Sequence, residues 1–226
     1  MNGYRMKTRK LALIHTVNWY AKVITQPFAL PWLEKNPHVE IINIMDDSLL
    51  SESLPNGGPT KEVVRRLMFY FMAAEATGAD AIMCTCTTMG LATRTARNFV
   101  RVPAFNIDEP MAKEAVSLGS RFGILATVPT SAPATKTLLE AEARAIGKRI
   151  ETKTVINEDA FKNLLAGNIK MHDELVHQEL DKLQQEVEVI VLGQVSLAQI
   201  RHKTKVPMLQ VGHSGFDHAA ELLRMA

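Results

Sequence analysis

The sequence predicts an α/β protein built from two pseudo-symmetric halves, each a parallel sheet in a three-layer α/β/α sandwich, with the functional site in the cleft between them. Three observations predict this. Short apolar runs alternate with helical patterns along all 226 residues, as they do in proteins with parallel sheets. Three segments of the first half recur in the second half in the same order. Finally, Cys84 and Cys86 stand two positions apart at the end of an apolar run, and ligands of parallel sheets gather beyond the carboxyl ends of strands.

In order along the chain, "KLALIHTV" (10–17) and "HVEIINIM" (38–45) read as strands. The stretch 58–78 reads as a helix: Pro59 sits at its start, Val63, Val64, Leu67, Met68, Phe71 and Met72 recur at helical spacing, and Gly78 stops it. "ADAIMCT" (79–85) is a buried strand, followed by a helix from about Thr88 to Asn98. "VPAFNID" (102–108) is the fourth strand, and Glu109 to Leu118 form its helix.

From Arg121 the pattern begins again. "RFGILATV" (121–128) repeats "KLALIHTV" at an offset of 111, which sets Thr127 on Thr16. "EVEVIVLGQVS" (186–196) repeats "GADAIMCTCTT" (78–88) at an offset of 108, setting Gln194 on Cys86 and Ser196 on Thr88. "VPMLQV" (206–211) repeats "VPAFNI" (102–107) at 104. Ordered repeats of this kind argue for two similar domains. The division expected is 1–113 with 212–226 for the first and 114–211 for the second, with Thr16, Cys86, Thr127 and Gln194 around one cleft.

Composition narrows the function classes. A formal charge of +2 with acids and bases mixed along the chain gives no electrostatic footprint for nucleic acid. The opening residues hold only a five-residue apolar run, and nothing approaches the roughly 20 apolar residues of a membrane span. A cytoplasmic protein with no membrane partner is expected. Two cysteines at C-x-C spacing are neither a disulfide framework nor a zinc quartet, which leaves packing or chemistry. No metal is expected: His172 and His177 are five apart and do not share a helix face, and the charged run 172–188 reads as a solvated helix with Leu175, Leu180 and Leu183 inward.

Cys84, inside the apolar run, reads as a small core residue. Cys86 falls at the strand–helix junction, where free N–H groups and the positive helix end lower a thiol's pKa and can hold a carboxylate. Thr87 and Thr88 add hydroxyls there. His15 adjoins the cleft and reads as a satisfied structural residue.

The strand leading into "CTT", the repeated half with "LGQVS" at the matching place, and "GILATVPT" at the start of the second half resemble the aspartate/glutamate/hydantoin racemase superfamily, from about Lys10 to Leu223. The resemblance implies two flavodoxin-like domains and a cysteine from each, one thiolate removing the proton α to a carboxylate and the opposite thiol returning one. It implies no cofactor, a small carboxylate as substrate, and a homo-oligomer, dimer or higher. Asp80 precedes Cys86 as an acidic residue precedes the family's first cysteine, Thr87 replaces the family's asparagine, and Thr88 matches its threonine. The second motif departs: Gln194 stands where the second cysteine belongs, followed by Val195 and Ser196, and an amide does not exchange protons under ordinary conditions. Gln194 is therefore expected to donate a hydrogen bond to the substrate opposite Cys86. The resemblance also makes Thr16, Thr127, Thr130 and Ser131 carboxylate-binding hydroxyls, and Asp46 is a candidate acceptor for an ammonium or hydroxyl. With one thiol, a racemase, an isomerase or a decarboxylase fits, and so does a catalytically silent carboxylate-binding protein.

Overall fold

The computed structural model describes residues 8–225. Eight strands form two four-stranded parallel sheets of identical topology. In the first, β1 (Arg9–His15) lies between β2 (Val39–Met45) and β3 (Ala81–Cys84), with β4 (Ala104–Asn106) outside β3, giving the order β2-β1-β3-β4. In the second, β5 (Arg121–Ala126), β6 (Glu151–Ile156), β7 (Val189–Leu192) and β8 (Met208–Gln210) are ordered β6-β5-β7-β8. Position by position, the second sheet repeats the first, as the sequence repeat implies. Cys86 lies two residues beyond β3 and Gln194 two residues beyond β7.

Side chains alternate across each strand, and the apolar content serves both faces. Leu11, Leu13 and Met83 of the first sheet join Phe122, Ile124, Val189 and Val191 of the second in one core layer between the sheets, filled by Phe28, Trp32 and Phe216. On the far side of the first sheet, Ala12, Ile14, Ile82 and Cys84 meet Val63, Leu67, Phe71 and Ala74 of helix α3 (Lys61–Ala76). On the far side of the second, Leu125, Ile190 and Leu192 meet Val176, Leu180 and Leu183 of α8 (Ile169–Leu183). Each fully buried Leu or Phe of these layers contributes about 1.5–3 kcal/mol. His172 of α8 is buried with Nδ1 on the Ala160 carbonyl at 2.9 Å, a satisfied core residue. Leu175 is only partly buried.

The remaining helices are α1 (Leu30–Lys35), α2 (Ser48–Ser53), α4 (Gly90–Ala96), α5 (Glu109–Leu118), α6 (Ser131–Ala145), α7 (Glu158–Leu165) and α9 (His213–Met225), the last packed on β1, β3 and α5. Several boundaries differ from the sequence reading for physical reasons. Thr60, rather than Pro59, starts α3, because its Oγ1 accepts the Val63 N–H at 3.2 Å and so satisfies an otherwise orphaned donor. Gly78 ends that turn at φ +81°, a conformation open mainly to glycine. The helix expected over 88–98 is a 3₁₀ turn (Thr87–Met89), then α4, then a second 3₁₀ turn (Arg97–Phe99). A π-helix (Ala21–Ala29) was not legible; Pro27 within it has no N–H for an α ladder, while Ile24 and Phe28 still reach the core.

Candidate active site

β3 delivers Cys86 to the cleft. The Thr85 N–H donates to the Ile14 carbonyl at 2.9 Å, Cys86 itself is extended, and Asn106 Nδ2 donates to the Cys86 carbonyl at 2.9 Å, fixing the turn. The side chain, 9% exposed, borders a small cavity of about 60 Å3 with Thr16, Thr85, Thr87, Thr88, Ser131, Gln194, Val195 and Ser196. Val17, Trp19, Val23, Ile24, Leu50, Val128 and Phe161 supply an apolar wall. Cys86 is the one ionisable side chain on this lining.

Burial pushes the Cys86 thiol above its ordinary pKa, while the Thr16 side chain and the backbone of Met89 and Thr88 pull the other way by hydrogen bonding to the sulfur. The sequence reading expected a depressed pKa from a helix end. The structure corrects it, because a 3₁₀ turn rather than an α-helix starts here and desolvation of the charged form outweighs the donors. Cys84 is fully buried, and burial raises its thiol further.

The second half is built differently. Gly193 brings the end of β7 against α6 so closely that a Cβ there would sit 2.2 Å from Thr135 Oγ1, and Gln194 follows. Its Oε1 accepts the N–H groups of Thr127 and Val128, each at 3.0 Å. Its Nε2 donates to Thr127 Oγ1 at 2.7 Å and to Ser196 Oγ. Both amide hydrogens are thus used inside the protein. The free donor expected toward a substrate is absent in this arrangement, and Thr127, fully buried, is engaged with Gln194 rather than facing the cavity.

Two hydroxyl contacts join the halves beside Cys86: Thr87 Oγ1 donates to the Gly193 carbonyl, and Thr88 Oγ1 and Thr130 Oγ1 are 2.9 Å apart. Ser131 and Ser196 reach the Cys86 cavity; Thr130 lines the neighbouring one. Asp46 lines neither. Its Oδ1 accepts from the Ser48 N–H at 2.9 Å and its Oδ2 from the Tyr70 hydroxyl at 2.8 Å. Partial burial opposes ionisation, yet these bonds and Arg66 hold the carboxyl below its usual range, so Asp46 serves the turn after β2. His15 is buried between Thr85 Oγ1 and Asn43 Oδ1, each 2.9 Å away, and stacks on Tyr20. Burial lowers its pKa to about 4, leaving a neutral imidazole.

One buried acid escaped the sequence reading. Asp108, 1% exposed, has an Oδ1 without a hydrogen-bond partner, and burial, reinforced by Glu109, raises its pKa to about 8. "NIDEP" offered a signal only as a helix-cap pattern, and no side-chain cap bond is made there. Among the described residues, no three His, Cys, Asp or Glu side chains gather as a metal site, and no helix is long and apolar enough to cross a membrane.

Solved structures share this architecture. The chain superposes on an aspartate racemase from Picrophilus torridus with a TM-score of 0.66 at 17% identity, covering 96% of this chain and 94% of that one. An allantoin racemase from Klebsiella pneumoniae gives 0.69 at 18%, covering 96% and 88%. A glutamate racemase from Francisella tularensis in complex with D-glutamate gives 0.70 at 13%, covering 96% and 81%. No curated protein matches the sequence. The family model described as Asp/Glu/Hydantoin racemase matches residues 34–219, most of the chain and both strand ends that carry Cys86 and Gln194, and the chain therefore belongs to the Asp/Glu/Hydantoin racemase family of isomerases.

Proposed function

We propose that the protein acts on a small carboxylate, an amino acid or dicarboxylate, as a cofactor-independent racemase or isomerase that moves the α-proton through Cys86. The observation that carries this reading is that Cys86 is the sole ionisable group on the cavity between the two sheets. A buried thiol with a raised pKa is a strong base once ionised, and the N–H groups of Thr88 and Met89 together with the Thr16 side chain favour that thiolate. Hydroxyls of Thr16, Thr87, Thr88, Ser131 and Ser196 and the backbone N–H groups of the two 3₁₀ turns serve the substrate carboxylate and the enolate that forms as the proton leaves. The cavity of about 60 Å3 is below the roughly 300–1,000 Å3 usual for ligand pockets, so binding parts the Thr87–Gly193 and Thr88–Thr130 contacts. The second half offers no acid opposite the thiol, and the returning proton comes from Cys86 or from water.

A second reading, loss of CO2 from a malonate-like acid, is favoured by the same single acid and by the apolar wall of Trp19, Ile24 and Phe161, because decarboxylation requires only one proton delivered to the carbanion. Incubation of candidate amino, hydroxy, dicarboxylic and malonic acids in deuterated water separates the readings by NMR. The isomerase reading expects α-deuterium without CO2, abolished by Cys86→Ala. CO2 release dependent on Cys86 selects the second reading, and turnover that survives Cys86→Ala refutes both. We further propose a homo-oligomer, which would cover the exposed Phe69, Met72 and Leu91; sedimentation velocity measures this.

A further inference from the structure

A second cavity is larger than the one that holds Cys86. About 500 Å3 in volume, it lies between the loop 56–60, α4, the head of α5 and α6, and shares Thr88 as a wall with the Cys86 cavity. Its wall carries three chemically distinct features. Asp108 lines it, almost fully buried, with Oδ1 unpartnered. Arg94 lines it from α4, half-buried, and its guanidinium makes no ion pair among the described residues. Leu91, Pro133, Ala134 and Leu138 add apolar surface to the lining. Glu109, the other acid on the wall, is already paired with Arg97.

We propose that this cavity is a second ligand site, separate from the Cys86 cavity, which takes a small acid carrying a carboxamide, its amide on Asp108 and its carboxylate on Arg94. An orphaned oxygen is costly: a buried acceptor without a partner is unfavourable until something donates to it. Burial keeps Asp108 protonated near neutral pH, and a neutral carboxyl offers one donor and one acceptor side by side. A primary amide offers the complementary acceptor and donor, whereas a carboxylate accepts from the carboxyl O–H but has no hydrogen to give its carbonyl oxygen. The charged end of such a ligand then meets Arg94, whose planar fork suits a carboxylate. The volume falls in the range of small-molecule pockets.

The test is isothermal titration of the intact protein with malonamate, succinamate and glutaramate, which span the separation of the two groups by one to three methylenes, with succinate and butyramide as controls lacking one group each. At least one amide acid should bind, and both controls should bind at least tenfold more weakly. Arg94→Gln, on a half-exposed helix position, and Asp108→Leu should each weaken the best amide acid at least tenfold, while Cys86→Ser leaves it unchanged. The proposal is overturned if none of the three amide acids binds at millimolar concentration, if binding survives Arg94→Gln undiminished, or if Cys86→Ser removes it. The last result would place the ligand at the Cys86 cavity; the other two leave the reading of Cys86 untouched.

Discussion

Replacing Gln194 by alanine tests whether that side chain is part of the scaffold or part of the chemistry. It is 6% exposed and makes four hydrogen bonds, two accepted from the N–H groups of Thr127 and Val128 and two donated to Thr127 Oγ1 and Ser196 Oγ. Each such bond contributes about 0.5–1.5 kcal/mol net, and a buried N–H left without a partner costs about 1–3 kcal/mol. Water can enter the space and recover part of this loss, so Gln194→Ala is expected to destabilise the fold by about 3 kcal/mol. For a chain of this length that corresponds to a fall in Tm of roughly 6–12 °C. Urea denaturation followed by circular dichroism gives the first number and a thermal scan the second.

The same geometry predicts a rescue. The two orphaned N–H groups form an anion-accepting pair at the end of β5, and acetate can occupy the position vacated by Oε1. Added acetate should therefore raise the stability of Gln194→Ala more than that of the natural protein. Unfolding within about 0.5 kcal/mol of the natural protein, with no selective response to acetate, would refute the reasoning: the amide would then be free, and its expected role as a donor to the substrate would stand again.

Two further expectations follow from the buried ionisable groups. Iodoacetamide should label Cys86 before the fully enclosed Cys84, and because burial raises the Cys86 thiol, both labelling and turnover should climb with pH through the neutral range; mass mapping that finds Cys84 modified first reverses the assignment. Asp108, with its pKa raised from 3.8 to about 8, keeps its proton in the folded state while the unfolded chain has lost it, so its contribution is full below pH 3.8 and is lost as pH rises through about 8. His15, lowered from 6.5 to about 4, acts oppositely, its contribution being full above pH 6.5 and lost as pH falls through about 4. Between pH 6.5 and 8 only Asp108 of this pair changes, so Asp108→Asn should flatten a decline in stability of up to ~1.4 kcal/mol per pH unit seen in urea titrations of the natural protein.

The two halves could be aligned in the sequence because parallel strands end in register, and a residue's distance from a strand end fixes where it stands. Cys86 and Gln194 each lie two residues past equivalent strands, and no packing detail was needed to pair them. Asp108 was hidden because its meaning depends on burial: in "NIDEP" it reads as a cap, and only the surrounding atoms show an acid without a partner. The thiol's pKa was misread for a related reason, since sequence reveals a strand–helix junction but not that the junction is dry. Gln194 combines both problems. A cysteine at its position has a side chain too short to reach the end of the neighbouring strand, and its sulfur would stay in the cavity, as Cys86 does. A glutamine is two atoms longer, and its amide reaches across to the N–H groups of Thr127 and Val128 at the end of β5. Gln194 thus does more than withhold an acid: its neutral oxygen occupies two N–H groups of the second half, and under the function proposed above proton transfer falls to the first half, with Cys86.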